Sequence, residues 1–114
     1  MTLPFNSSIT AIKAAFGTLS ASAHNTANIN TDGFKKERTI LGENKQGGVS
    51  AKTGVSKEAG TLYQNSDGKM VEDSNVEISE EIANQMLAKH LLSANIAVLK
   101  TTNDIEKDLI NILA

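Results

Sequence analysis

The apolar residues of this chain are gathered at its two ends, and that unevenness constrains the fold more than any other feature. Between Lys35 and Asp73, 39 residues include only ten apolar ones but six of the eight glycines. Between Glu77 and Leu113, 37 residues include eighteen apolar ones and neither Gly nor Pro. Too few apolar side chains lie in the middle to bury a core there, so the two ends must supply it. At 114 residues the chain is one small domain. It has no Trp, one Tyr and three Phe, whereas Leu, Ile and Ala number ten, ten and thirteen. Aromatic rings dominate most globular cores. Their scarcity points to long helices packed along a seam.

The C-terminal stretch reads as a helix. Ser74-Asn75-Val76-Glu77 has the form of a capping box, with Ser74 as N-cap and Glu77 reaching back to its amide. Glu77, Glu80 and Glu81 place negative charge where the helix dipole favours it. About 36 residues of helix would span ~54 Å. Ile78, Ile82, Leu92, Ile96, Leu99, Ile110 and Leu113 form one stripe, with Leu87, Leu91, Ala94, Val98, Ile105, Leu109 and Ile112 beside it. So wide an apolar arc needs more than one neighbour.

The N-terminal stretch supplies one. Ile9, Ile12, Phe16, Leu19, Ala23 and Thr26 repeat at the three-four spacing of a coiled-coil seam, with Asn6 or Ser7 as cap. Gly17 and the many Ser, Thr and Asn residues weaken its intrinsic helicity, so it is expected to form only when something packs on it. On that ground a dilute monomer is expected to be partly disordered over its first 30 residues. Asn28-Ile29-Asn30-Thr31-Asp32-Gly33 ends the helix sharply, because Asn and Asp bond nearby backbone and Gly accepts positive φ. The fold class expected is therefore mainly α. N-terminal (1–33) and long C-terminal (74–114) helices pack as an antiparallel coiled coil around a short Gly-rich loop/β region (34–73). Residues 38–41, 48–52 and 61–63 are candidate short strands, and 42–48 a candidate mobile loop.

Several functions are disfavoured. The chain has no Cys, hence no disulfide framework, thiolate zinc site or catalytic thiol. The longest apolar run is Ile96 to Leu99, too short to span a membrane, and no Sec-type signal peptide is expected at the N-terminus. A net charge of −2 argues against nucleic acid or anionic lipid as partner. His24 and His90 have no ligand partner three or four residues on. Residues 28–39 resemble the start of a calcium loop but end in Thr39 where Glu is required. Phosphate-loop motifs are lacking. No catalytic residue, cofactor, metal or small-molecule substrate is expected. The acidic group Glu72, Asp73, Glu77, Glu80 and Glu81 is read as dipole-matching charge at a helix start.

Two segments then read as a pair. Ser20 to Lys35 resembles the signature of the bacterial flagellar rod and hook (axial) family, roughly N-x-A-N-x-N-T-x-G-[YF]-K. Asn25, Ala27, Asn28, Asn30, Thr31, Gly33, Phe34 and Lys35 match it. Ser74 to Leu113 resembles the family's C-terminal segment through Ser74, Asn75, Val76, Glu80, Glu81, Ala94, Asn95, Lys100, Thr101 and Leu109. Gly47-Gly48-Val49 and the stretch from Gly60 to Gly68 resemble a shortened middle of the proximal-rod FlgC type. The chain departs at Thr26, at Asp32, where Pro is commonest, and at Lys89-His90-Leu91-Leu92, where Q-R-A-Y is usual.

The resemblance implies a structural rod subunit, exported unfolded by the flagellar type III apparatus without a cleaved signal peptide. It implies assembly in the periplasmic rod of the basal body through the terminal helices, with other axial subunits and copies of itself as partners. The residues expected in assembly and helix seams are Ile9, Ile12, Phe16, Leu19, Ala23, Ile82, Leu91, Leu92, Ile96, Leu99, Ile105 and Leu109. The alternative is a soluble coiled-coil adaptor, or a type III-exported protein that does not enter the rod.

Overall fold

The structure, a computed structural model, describes residues 2–114. Two helices carry the chain: α1 (Thr2–Ala27) and α2 (Ile78–Leu113). Between them lie β1 (Glu37–Glu43), β2 (Val49–Val55), β3 (Leu62–Gln64) and β4 (Met70–Glu72). The strands form two separate antiparallel hairpins, β1–β2 and β3–β4. The first runs in register from Glu37 opposite Val55 to Glu43 opposite Val49. The second pairs Leu62 with Glu72 and Gln64 with Met70.

The molecule measures 78 × 24 × 14 Å, with a radius of gyration of 20.0 Å. A compact chain of this length has a radius near 13 Å. Its accessible surface, 7964 Å², exceeds by about a third the ~6,000 Å² of a compact monomer of this mass. Elongation follows from the α2 length and from a middle that cannot collapse on itself.

The helices run antiparallel. Asn25, near the end of α1, bonds Glu81, near the start of α2, while Ala15 shares a cavity with Leu92. The buried positions of α1 are Ser8, Ala11, Ala14, Ala15, Ala21, Ser22 and Asn25. Those of α2 are Glu81 and Ala88. Every fully buried apolar residue among those described is thus an alanine. Each such methyl contributes about 0.8 kcal/mol, against roughly 1.5–3 for a buried Leu or Phe.

This corrects the expected N-terminal seam. Ile9, Ile12, Phe16, Leu19, Ala23 and Thr26 each lie one residue beyond Ser8, Ala11, Ala15, Thr18, Ser22 and Asn25. The small residues face inward, and the large ones stand at the edge of the contact or outside it. Ile9 and Ile12 are half-buried, Ala23 is exposed and Phe16 is 56% exposed. Small side chains let a hairpin and a second helix both approach the α1 backbone, which bulky ones would hold off.

Both helix starts differ from expectation. α1 begins at Thr2 and passes through Pro4, tolerated in a first turn where the amide has no partner, so Asn6 and Ser7 are inside the helix. The capping box at Ser74 does not form. Glu77, in an extended conformation, is the N-cap of α2, with no side-chain cap bond. Ser74 Oγ instead accepts the Val76 amide at 3.2 Å, and both polar ends of the Asn75 side chain hold other backbone segments.

The middle is more ordered than its glycines suggest. Residues 42 and 43 belong to β1, and 44–48 close a tight turn in which Gly47 and Gly48 adopt φ of 89° and 90°. The turn lies on α1, where the Thr10 hydroxyl accepts the Val49 amide at 3.1 Å. Strand β4 has no counterpart among the expected strands; three residues are too few to show alternation.

Candidate functional site

The segments around Asn25 and Ser74, 49 residues apart in sequence, meet at one junction. Its centre is the start of β1. The Asn25 side-chain amide accepts the Glu37 N–H at 2.7 Å and donates to the Glu37 carbonyl at 2.8 Å, in the manner of a paired strand. One residue earlier, Asn75 Oδ1 accepts the Lys36 N–H at 2.6 Å, while Asn75 Nδ2 donates to the Glu58 carbonyl at 2.9 Å. The Asn75 amide in turn donates to the Phe34 carbonyl at 3.3 Å. Two asparagines, one from the N-terminal and one from the C-terminal segment, thus hold consecutive residues, Lys36 just before β1 and Glu37 at its start.

The helix exit is built as its residue types suggest. Asn28 Nδ2 donates to the His24 carbonyl, and its Oδ1 accepts the Thr31 hydroxyl. Gly33 has φ of 71° and donates its N–H to the Glu72 carbonyl at 2.8 Å. Phe34 packs against His24 with ring centroids 5.4 Å apart. Ala27, Asn30 and Thr31 are exposed.

Polar groups are buried beneath this junction. Asn25 and Glu81 are each 1% exposed, and Asn25 Nδ2 donates to Glu81 Oε1 at 3.0 Å. Ser22 Oγ donates to the Glu81 carbonyl at 3.1 Å, and Gln85 Nε2 donates to the hydroxyls of Ser22 and Thr26. Glu81 Oε2 has no partner. Lys36, also buried, reaches Glu80 at 2.6 Å, and Arg38 joins Glu58 and Glu80 at the rim. The hydrogen bond from Lys36 holds the Glu80 carboxyl below the usual glutamate range. Lys35 pairs with Glu72 in the same way, and that bond, with the Gly60 amide, lowers the Glu72 carboxyl too. Tyr63 donates to Asp32 at 2.8 Å, which raises the phenol above its ordinary value.

Glu80 and Glu81 lie in the first turn of α2, where the helix dipole favours negative charge, and the acidic group is also engaged in specific contacts. Glu72 and Glu80 are paired with lysines, and Glu81 is interior. A sequence signal for Glu81 exists in the stripe Glu81, Gln85, Ala88, Leu92, Asn95, which keeps the three-four spacing with small and polar residues. Lys36 gives no such signal.

The other expected seam residues lie along α2. Leu91, Leu92, Asn95 and Leu99 are half-buried, and Asn95 Nδ2 donates to the Leu91 carbonyl at 2.8 Å. Leu91 faces a cleft of about 410 Å³ shared with Leu41 and Val49 of the first hairpin. Leu92 borders an apolar cleft of about 320 Å³ with Ala15, Phe16, Leu19 and Ala88. Ile82, Ile96, Ile105 and Leu109 are exposed, so the single chain leaves them uncovered.

The arrangement offers backbone and side-chain bonding between distant segments of the chain. Among the described residues no cluster of His, Cys, Asp or Glu could hold a metal ion. No described helix is long and apolar enough to cross a membrane. Compared with known proteins, the chain matches no family model and no curated sequence.

Proposed function

We propose that the chain is a structural subunit of the bacterial flagellar basal-body rod. On this reading it is exported through the flagellar type III apparatus and assembles with other axial subunits and its own copies, supporting motility. Its two helices act as an antiparallel coiled coil whose outer stripes, unused within one chain, are covered by neighbours. The observation that carries the reading is the junction. The two segments that resemble axial signatures stand at opposite ends of the sequence, yet Asn25 and Asn75 grip adjacent residues, Glu37 and Lys36, where the chain enters β1. The uncovered α2 stripe supports it, since Ile82, Ile96, Ile105 and Leu109 are apolar and exposed.

The test is to delete the gene and to trace an epitope-tagged chain through purified hook–basal bodies. The expected result is loss or reduction of swimming, with the tagged chain co-purifying in the rod fraction. Full motility on deletion, with the chain absent from basal bodies, would overturn the proposal in favour of an adaptor.

A further inference from the structure

α2 is longer than α1 by ten residues, and the excess lies at its C-terminal end. Ser22 sits opposite Glu81 and Gln85, so Thr2, twenty residues back, reaches only as far as Thr101 to Ile105. Among the described residues nothing of α1 lies beside α2 from about Glu106, a length of ~12 Å. One face of it is apolar. Ile105, Leu109 and Ile112 repeat at a four-three spacing, and Ile112 and Leu113 are 80% and 85% exposed.

The same chain carries an apolar cleft between its helices. Phe16, Leu19 and Leu92 border it above a floor of Ala15 and Ala88. The overhang cannot reach its own cleft, because some twenty residues of continuous helix, ~30 Å, separate Leu92 from Ile112. Charge distinguishes the two surfaces. From Ile82 to Asn103 α2 has no acid and carries Lys89 and Lys100, and α1 has no acid and carries Lys13. The overhang and the residues leading into it carry Asp104, Glu106 and Asp108 against Lys107. Among the described residues none of these seven forms an ion pair within the chain.

We infer that the α2 overhang of one copy seats in the α1–α2 cleft of the next. Ile105, Leu109 and Ile112 pack on Phe16, Leu19 and Leu92, and Asp104 and Asp108 face Lys13 and Lys89. A symmetric overhang-to-overhang pairing brings like charge together, which costs affinity. Seating a tail in a different surface leaves each copy with one free tail and one free cleft. Such a contact continues into an open assembly unless a rotation closes it. The inference deepens the proposed role, and rests on it for the presence of neighbouring copies.

The absence of cysteine makes the test direct. Full-length Leu19→Cys and Ile112→Cys variants, purified separately, are mixed at high concentration and oxidised. A mixed disulfide dimer in clear excess over either homodimer is expected, and a chain carrying both substitutions should give a ladder of oligomers. Asp104→Lys with Asp108→Lys should cut the mixed product about tenfold, and Lys13→Glu with Lys89→Glu should restore it. No mixed product, or an Ile112→Cys homodimer forming as fast, overturns the seating. A mixed disulfide from a protein absent from basal bodies leaves the seating standing and removes the rod role. A chain present in basal bodies that gives no mixed product does the reverse.

Discussion

Replacing Asn25 by alanine should cost about 4 kcal/mol of folding stability. Asn25 makes three hydrogen bonds, of 2.7, 2.8 and 3.0 Å, to the Glu37 amide, the Glu37 carbonyl and the Glu81 carboxylate. The two backbone partners are only partly buried, so water replaces some of what is lost and each bond contributes about 1 kcal/mol. The third joins two side chains that are each 1% exposed, and its loss strands a buried acceptor, which costs about 1–3 kcal/mol. Its loss leaves Glu81 with neither carboxylate oxygen paired to a side chain, since Oε2 has no partner to begin with. The assay is urea denaturation of the purified full-length chain followed by helical circular dichroism. A double-mutant cycle with Glu81→Ala isolates the third bond, with an expected coupling of about 1–3 kcal/mol. Asn25→Asp should also destabilise, because it loses both donated bonds and places a second carboxylate against Glu81. An Asn25→Ala cost below about 1 kcal/mol, or a coupling near zero, would refute the account of the junction.

Gly48→Ala should lift the first hairpin off α1. Gly48 has φ of 90°, and an added Cβ would run into the Thr10 hydroxyl, so a loss above about 1 kcal/mol and faster amide exchange at Val49 are expected. Acid should loosen the junction: Glu80 is more acidic folded than unfolded, so its contribution is present above the ordinary glutamate range and lost as pH falls through the lowered value. Glu80→Gln should flatten that part of a stability-versus-pH curve measured by urea melts. Tyr63 runs the other way, since its phenol is raised by the bond to Asp32: the contribution is present at neutral pH and lost as pH climbs through the raised value. Tyr63→Phe should remove this alkaline step, read by amide exchange in β3 and β4, and leave the helices unchanged.

The long C-terminal helix was legible because 37 residues without Gly or Pro, with stripes of Leu and Ile, have few other ways to fold. Its start is displaced because Asn75 has partners that only the folded chain brings near, and Ser74 caps the Val76 amide instead; a local capping rule cannot see the Lys36 amide 39 residues away. The buried face of α1 lies one residue before its large apolar side chains for a different reason. Periodicity finds large apolar side chains, but the contact is made by Ala and Ser, whose small size rather than hydropathy selects them. Asn25, singled out as part of a motif, proved to be a buried bonding centre. Glu81 was hidden, since a glutamate in a first helical turn has an ordinary electrostatic explanation, and its partner is 56 residues distant.

The alanine-lined contact of α1 has a mechanical corollary. Small side chains present a nearly smooth track, on which a slide by two turns would replace one alanine or serine with another at little loss of packing. What distinguishes the native alignment is the cluster at one end, where Ser22, Asn25 and Gln85 make bonds that no shifted position can repeat. That cluster therefore sets the alignment of the helix pair. The first hairpin is bound to both partners, through Thr10 and Asn25 to α1 and through Lys36 and Arg38 to Glu80 of α2, so it pins the same alignment from the side.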